Sequence, residues 1–403
     1  MNLSTNFKHM FRALKYKNYR LFFIGQGISL TGTWMQQLAI GWLIYRLTNS
    51  PFMLGFVGFL GSIPTFIFTP FAGVLADRMS KHRMLIVTQA LEMIQALILA
   101  ALIMTGTVQV WHILALTIFL GIAVAFDSPA RHAFIVDMVH EKEDLGNAIA
   151  LNSLVFNAAR LIGPSIAGIV VALFGEGICF LVNGLSYIAV IAALLGMHIT
   201  RRATVRQEKH IIHGLKEGIS YAFNDKLIRS ILLLTGLVSM MGMSYVVLMP
   251  VFAKTILRGD ANTLGFLMGS TGLGALMGAF FLASRKDIKG LNRAVFINTN
   301  IFGVGLIAFS FSRVLWLSVV ILLFIGFGMM VQMAANNTII QAVVHDDKRG
   351  RVMSLFMVAF MGMVPFGCII AGALANRFGA PNALMASGLL CVAGSFFLRN
   401  KNL

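Results

Sequence analysis

The chain has 403 residues, of which 58% are hydrophobic and 12% charged, and its mean hydropathy is +0.83. Soluble domains carry roughly 25% charged residues, so this chain lacks the polar side chains to cover a water-facing surface. The composition excludes a soluble enzyme, a secreted domain and a disordered protein. The net charge of +17 has to be interpreted by position, because membrane proteins place Lys and Arg on one side.

Apolar stretches of about 20 residues, the length that crosses a bilayer as a helix, recur along the chain. The first is too long for the apolar region of a signal peptide and lacks a small-residue cleavage site, so it is expected to remain as a span. The sequence predicts an all-α membrane protein with twelve transmembrane helices. The predicted spans are Tyr19–Tyr45, Phe52–Ala76, Met84–Thr105, Val110–Phe126, Asn147–Phe174, Gly177–Met197, Leu227–Phe252, Leu264–Ala283, Ala294–Phe311, Val314–Ala335, Val352–Ala375 and Asn382–Leu398.

An internal repeat divides the spans into two sets of six. Val139–Leu151, after span four, is similar to Val344–Leu355, after span ten, and the two lie half a chain apart. Parallel six-helix repeats are a known transporter architecture. The predicted domains are an N-terminal half over 1–197, a cytoplasmic linker over 198–226 and a C-terminal half over 227–403.

The basic residues orient the spans. The N-terminus, the loops after even-numbered spans and the C-terminus contain 26 of the 32 Lys and Arg. By the positive-inside rule, both termini and the linker are cytoplasmic, and we expect a multi-pass protein of the cytoplasmic (inner) membrane. Because the charges are spread over separate loops beside the bilayer, they predict no nucleic-acid partner.

No motif of covalent chemistry is visible. There is no Gly-Lys dipeptide for a phosphate-binding loop and no HExxH or GxSxG, and Cys179, Cys368 and Cys391 are isolated. We therefore expect no enzyme activity, no metal, no cofactor and no direct use of ATP.

The loop between spans two and three resembles the cytoplasmic signature of the major facilitator superfamily, G-x-L-x-D-R-x-G-R-K-x-x-L. Gly73, Asp77, Arg78 and Lys81 fall on its positions, and Ser80 replaces a Gly. The resemblance implies the major facilitator fold, a secondary transporter working by alternating access, and a latch of these residues that holds the outward-open state.

In that latch Asp77 would face the N-terminal end of span eleven, where a helix dipole favours an anion. Lys81 would pair with an acid at the cytoplasmic end of span four, a position that we assign to Asp127. A solvated turn whose charges only fix the topology is the alternative.

Span five contains a second motif. Arg160, Gly163, Pro164 and Gly168 resemble the superfamily's G-P-x-x-G-G motif of antiporters, with Ala167 in place of one Gly. The surrounding stretch resembles the exporters that include enterobactin and macrolide efflux proteins. The R-x-x-Q-G motif of proton-linked antiporters is absent from span four, so proton coupling is implied by the resemblance alone. Kinks of the Gly-Pro type also occur in many membrane helices.

Two ionisable residues lie deep in predicted spans, where a charge is costly and hence a candidate for function. Glu92 is about 12 Å into span three and Arg160 about 20 Å into span five at 1.5 Å per residue. Glu92 could bind and release the coupling proton, or serve as a structural hydrogen-bonding residue. Arg160 could hold an anionic substrate or pair with an acid, or anchor helix packing.

Span one carries Gln26, Thr33, Trp34 and Gln37 on an otherwise apolar helix. The resemblance implies that this span lines the substrate cavity; interhelical hydrogen bonding is the alternative.

We predict an exporter of amphipathic small molecules such as a drug-like compound or a siderophore, acting as a monomer in the lipid bilayer with the proton as coupling ion. An importer of a siderophore or lipid-like metabolite and a non-transporting receptor or scaffold are the competing hypotheses.

Overall fold

The computed structural model describes residues 11–139, 141–197, 219–285 and 290–398, apart from the side chains of residues 70, 73, 74, 76–78, 142, 346 and 347. Throughout this described part every regular element is a helix. The predicted all-α fold class is confirmed.

Six long helices follow a 3₁₀ turn at Arg12–Lys15 in the first half of the chain. They are α1 Lys17–Thr48, α2 Pro51–Arg78, α3 Lys81–Met104, α4 Val110–Met138, α5 Lys142–Phe174 and α6 Glu176–Leu195. Glycines with positive φ at 106 and 175 close the turns after α3 and α5, because only glycine adopts that conformation at no steric cost.

Six more helices follow in the second half, and two of them contain π turns. They are α7 Lys226–Ile256 with π turns at Val238–Gly242 and Phe252–Ile256, α8 Ala261–Ala283, α9 Leu291–Phe311, α10 Leu315–Val343, α11 Lys348–Phe378 with a π turn at Val358–Gly362, and α12 Ala380–Phe397.

Among the described helices, eleven are long and apolar enough to cross a membrane. The remaining one, α1, has 32 residues, which is ample length for a span. Its composition is more polar because Gln26, Gln36 and Gln37 lie along it.

The predicted end of span four is wrong. Phe126 was expected to be its last residue, whereas α4 continues to Met138 and takes Asp127 and Arg131 into the helix. The two side chains form an ion pair one helical turn apart, with 2.8 Å between Arg131 Nη2 and Asp127 Oδ2. This pairing compensates part of the cost of burying either charge, so the helix does not have to end where the charges begin.

The chain forms two compact units, Met1–Leu43 with Ile63–Val205 and Ile44–Ser62 with Arg206–Leu403. In the first unit α3 packs against α4 and α6, around a core that contains Tyr19, Phe22 and Phe134.

In the second unit α10 packs against α8 and α9, and α9 against α12. The segment Ile44–Ser62 belongs here because Gly55 lies directly on the Cys368 backbone, where an added Cβ would overlap the carbonyl oxygen. The hydroxyl groups of Tyr45 and Thr255 are 2.7 Å apart.

Candidate functional site

Polar side chains from α1, α3, α4 and α6 meet inside the first unit, and Asp127 is at their centre. Its side chain is fully buried and is paired with Arg131. Asp127 Oδ1 accepts hydrogen bonds from Thr88 Oγ1 at 2.9 Å and Gln89 Nε2 at 2.8 Å. Arg131 Nη1 donates to Gln26 Oε1 at 3.4 Å. The carboxylate is therefore held by one cation and two neutral donors from the neighbouring helix.

Glu92 lies one helical turn along α3 from these donors and is 5% exposed. Tyr187 of α6 lies near its carboxyl group, and Asp127 and Arg131 are the charged groups that face it. Its Oε1 atom has no hydrogen-bond partner among the described residues. Glu92 is thus a buried carboxyl group beside an already balanced ion pair.

A second set of buried amides lies along the same helices. Gln36 Nε2 donates to Gln95 Oε1 at 2.9 Å, and Asn183 Nδ2 donates to Gln36 Oε1 at 2.7 Å. Gln36 is buried, whereas its neighbour Gln37, the residue predicted to line the cavity, is exposed. These amides tie α1, α3 and α6 together, and the sequence reasoning missed them because a glutamine inside a span gives no indication of its partner.

The predicted pairing of Lys81 with Asp127 is wrong. Lys81 Nζ is 3.1 Å from Asp137 Oδ2. Because α4 runs to Met138, Asp137 is the acid at its C-terminal end, and Asp127 is ten residues further in, about 15 Å by the helical rise. The signal for Asp137 was present, since it is the next acid after Asp127 in the sequence.

The other latch positions are Gly73, Asp77 and Arg78. They lie at the end of α2, and their side chains are outside the described part of the structure. Their predicted role stays a prediction.

Arg160 of α5 lies over the Trp34 ring, with 5.7 Å between the guanidinium carbon and the ring centroid. Gly163 allows α5 to approach α1 at this point, because a Cβ there would lie 2.6 Å from Trp34 Cβ. Pro164 is inside the helix, and Gly168 is buried. The predicted motif therefore joins α5 to α1 within the first unit.

The four residues predicted to line a cavity from α1 point in different directions. Gln26 is buried against Arg131, and Thr33 Oγ1 is 3.4 Å from the Tyr187 hydroxyl oxygen. Trp34 packs edge-on against Phe156, and Gln37 is exposed. The contacts of Gln26 and Thr33 agree with the alternative hypothesis, in which these side chains form hydrogen bonds between helices.

A surface cluster holds the N-terminal segment on the start of α5. Lys15 Nζ lies 2.8 Å from Asp144 Oδ2 and 2.9 Å from Glu141 Oε2, and Arg12 Nε lies 2.8 Å from Asp144 Oδ1. Hydrogen bonds to Asp144 and Glu141 raise the pKa of Lys15 above its usual range. The ammonium form is therefore the one present at neutral pH.

Two bundles of apolar helices around buried polar groups define a multi-pass membrane transporter of the major facilitator superfamily. The chain belongs to the transmembrane secretion effector family, which it matches over residues 9–403. The resemblance seen in the sequence is confirmed, and with it a role in transport rather than catalysis.

The relatives cover nearly the whole chain. It is 25% identical to the staphyloferrin A transporter of Staphylococcus aureus, over 95% of this chain and 96% of that one. It is 22% identical to macrolide efflux protein A of Streptococcus pyogenes, over 94% and 96%. A solved bacterial homologue of the human lysosomal transporter Spinster, inward-facing and occupied, has a TM-score of 0.74 at 11% identity, over 95% and 96%. That likeness shows the shared fold.

Proposed function

We propose that the chain exports amphipathic small molecules, of the siderophore or macrolide kind, across the cytoplasmic membrane by alternating access coupled to the proton gradient. The proposal of export is supported by the end-to-end similarity of the chain to a staphyloferrin A transporter and a macrolide efflux protein. Both named cargoes combine polar groups with a sizeable organic frame, and the predominantly apolar composition of the spans fits such molecules.

Glu92 is the proposed proton-binding group. Arg131 already balances Asp127, so the charge of the cluster changes by one when Glu92 gains or loses its proton. A buried charge is costly when it is not compensated, so deprotonation favours an arrangement that admits water or a cation to this carboxylate. This links proton binding to the conformation of the helices that carry the cluster.

Gly73, Asp77, Arg78 and Lys81 form the proposed cytoplasmic latch, with Asp137 in place of Asp127 as the partner of Lys81. A pair of partly exposed charges is worth roughly 0–1 kcal/mol. Such a pair is weak enough to break and re-form in every transport cycle.

Transport is tested with everted membrane vesicles from cells that express the chain. Radiolabelled staphyloferrin A and erythromycin are offered separately under an imposed pH gradient, acidic inside. The proposal expects gradient-dependent accumulation of at least one of them inside the vesicles. Loss of preloaded compound from the vesicles instead identifies an importer, and an absence of gradient-dependent movement for both compounds contradicts the proposed cargo class.

The role of Glu92 is tested with Glu92→Gln, which keeps the shape and removes the titration. We expect binding of the transported compound to remain while gradient-driven accumulation falls at least tenfold and its pH dependence disappears. Glu176→Gln is the control, because Glu176 is also buried but lies at the first residue of α6. Equal pH profiles of wild type and Glu92→Gln would rule out Glu92 as the coupling group.

The latch is tested with Asp77→Asn in the same vesicles. Turnover is expected to fall more than substrate affinity, because the substitution changes the balance between conformations and leaves the binding site untouched. Unchanged turnover contradicts the latch.

A further inference from the structure

We propose that the cytoplasmic ends of α7, α9 and α12 form a docking site for an anionic phospholipid. A small open cavity lies between these three helix ends. The positive-inside pattern places this end of the helices at the cytoplasmic leaflet, whose anionic lipids attract basic segments.

The walls of the cavity are apolar. Leu227, Ile231 and Leu234 line it from α7, and Val295 and Phe296 from α9. The α7 residues are four and three apart, and Val295 and Phe296 lie three and four residues after Asn292, so each group lies on one face of its helix. The result is a slot between helices that suits a hydrocarbon chain.

Polar groups lie at the cytoplasmic end of the same cavity. Asn292, the second residue of α9, lines it, and its buried Nδ2 atom has no hydrogen-bond partner among the described residues. A buried amide donor without an acceptor is costly. A phosphate oxygen of a lipid headgroup is an acceptor that would remove this cost.

Basic residues lie at this end of α7 and α9. Lys226, Arg229 and Arg293 are exposed, and each is next in sequence to a lining residue. Asp225, the carboxylate at this end of α7, is the N-cap of the helix. Its Oδ1 atom accepts hydrogen bonds from the backbone N–H groups of Leu227 and Ile228 at 2.8 and 3.0 Å. The charge around the slot therefore favours an anionic headgroup over a zwitterionic one.

The corresponding place in the first unit is closed. His82 is the second residue of α3, as Asn292 is of α9, and its Nε2 atom lies 2.7 Å from the Leu194 carbonyl oxygen of α6. The His82 ring also packs on Phe134, with 5.8 Å between centroids. A ring that bridges two helices fills the space that stays open beside Asn292. The repeat thus supplies an internal comparison, since His82 occupies the position in the first unit that corresponds to Asn292.

The test measures lipid bound to the purified full chain by native mass spectrometry. Phosphatidylglycerol and phosphatidylcholine with identical acyl chains are the two probes. We expect the protein to retain phosphatidylglycerol in preference to phosphatidylcholine. Equal retention of the two lipids overturns the proposal.

Two variants locate the site. Arg293→Gln removes one cation, and the expected loss of phosphatidylglycerol affinity is about fivefold, which corresponds to about 1 kcal/mol for a basic residue near anionic lipid. Ser230→Phe fills the slot from a partly exposed lining position and is expected to lower retention at least as much. The unfolding temperature of each variant in detergent shows whether it folds. A folded variant that retains as much phosphatidylglycerol as the wild type overturns the proposal.

Arg83→Gln is the matched control. Arg83 is the exposed third residue of α3, as Arg293 is of α9. It carries the same charge at the equivalent place in the first unit, where His82 bridges α3 and α6. The proposal expects wild-type retention by Arg83→Gln, and a loss equal to that of Arg293→Gln shows that the lipid responds to net charge and overturns the site.

Discussion

At the scale of single residues, the buried charges are stabilised by particular partners. Asp127 has no exposed surface, accepts hydrogen bonds from Thr88 and Gln89, and forms an ion pair with Arg131. The sequence showed that Asp127 and Glu92 were unusual for a membrane protein. It did not show that Asp127 pairs within its own helix, because this depended on how far α4 extends.

Arg131→Gln is expected to destabilise the protein by about 3–5 kcal/mol, the usual cost of removing one partner of a buried ion pair. The unfolding temperature in detergent measures the effect. The double variant Asp127→Asn/Arg131→Gln removes both charges and is expected to recover most of the loss. A single variant as stable as wild type would contradict the buried pairing.

Asp260→Ala is expected to cost about 1 kcal/mol, because Asp260 caps α8 by accepting from the Thr263 backbone N–H at 3.1 Å. Asp260→Asn keeps the acceptor and is the control. Although burial opposes the shift, hydrogen bonds from Thr263 and Asn262 lower the pKa of Asp260 below its ordinary 3.8.

The charge of Asp260 therefore contributes to the free energy of unfolding above pH 3.8. This contribution is lost as the pH falls through the pKa of Asp260 in the folded state, which is lower than 3.8. Unfolding temperatures of wild type and Asp260→Asn are expected to differ by the same amount between pH 5 and pH 7 and to converge only in stronger acid. Convergence already at pH 5 would show that the cap does not hold the charged form.

At the scale of elements, apolar length and basic loops were enough to place the helices in order. Their ends were less predictable: α4 and α10 run to Met138 and Val343, beyond the predicted Phe126 and Ala335. Hydropathy marks where a helix leaves the lipid and says little about where it ends in water or among polar partners. The π turns in α7 and α11 were not predicted either.

Close contact between α8 and α10 depends on glycine. A Cβ at Gly274 would overlap the Leu323 carbonyl, and one at Gly326 would overlap that of Thr271. Gly278, one turn further along α8, also faces α10, since a Cβ there would lie 2.9 Å from the Phe327 carbonyl oxygen.

Gly274→Ala is expected to lower stability by about 1–3 kcal/mol, the usual cost of overpacking, because backbone atoms have to move. Gly236→Ala in α7 is the control, since its nearest contact would be an ordinary 3.8 Å. Unfolding temperatures in detergent distinguish them. Equal effects of the two variants would mean that the α8–α10 contact tolerates a wider separation.

At the scale of the whole molecule, the two halves share a buried polar layer but differ in charge. Gln332 and Asn336 occupy the positions of Asp127 and Arg131, with the same separation in sequence as Val139 and Val344. Gln332 is fully buried, and Asn336 Nδ2 donates to Thr235 Oγ1 at 3.1 Å. The second half therefore has neutral amides where the first half has an ion pair.

Gln332→Leu is expected to leave stability unchanged or to raise it by about 1 kcal/mol, because neither amide atom of Gln332 has a partner among the described residues. Asp127→Leu, the equivalent change in the first half, is expected to destabilise strongly because it leaves Arg131 buried without its acid. Thermal unfolding of both variants in the same detergent is the measurement. Strong destabilisation by Gln332→Leu would reveal that Gln332 has partners of its own.

The sequence by itself determined that the chain is a membrane protein with twelve predicted spans and an internal repeat, because hydropathy and charge along the chain report directly on the solvent of each segment. Its motifs implied a transporter by resemblance. Only the tertiary structure decided that Lys81 pairs with Asp137 and that Glu92 lies beside Asp127 and Tyr187. It also decided that Asn292 lines a cavity in the second unit, whereas His82 at the corresponding position of the first unit bridges two helices. These facts depend on side chains that are far apart in sequence and brought together by helix packing. A pattern along a single helix contains no information about which neighbour it will meet.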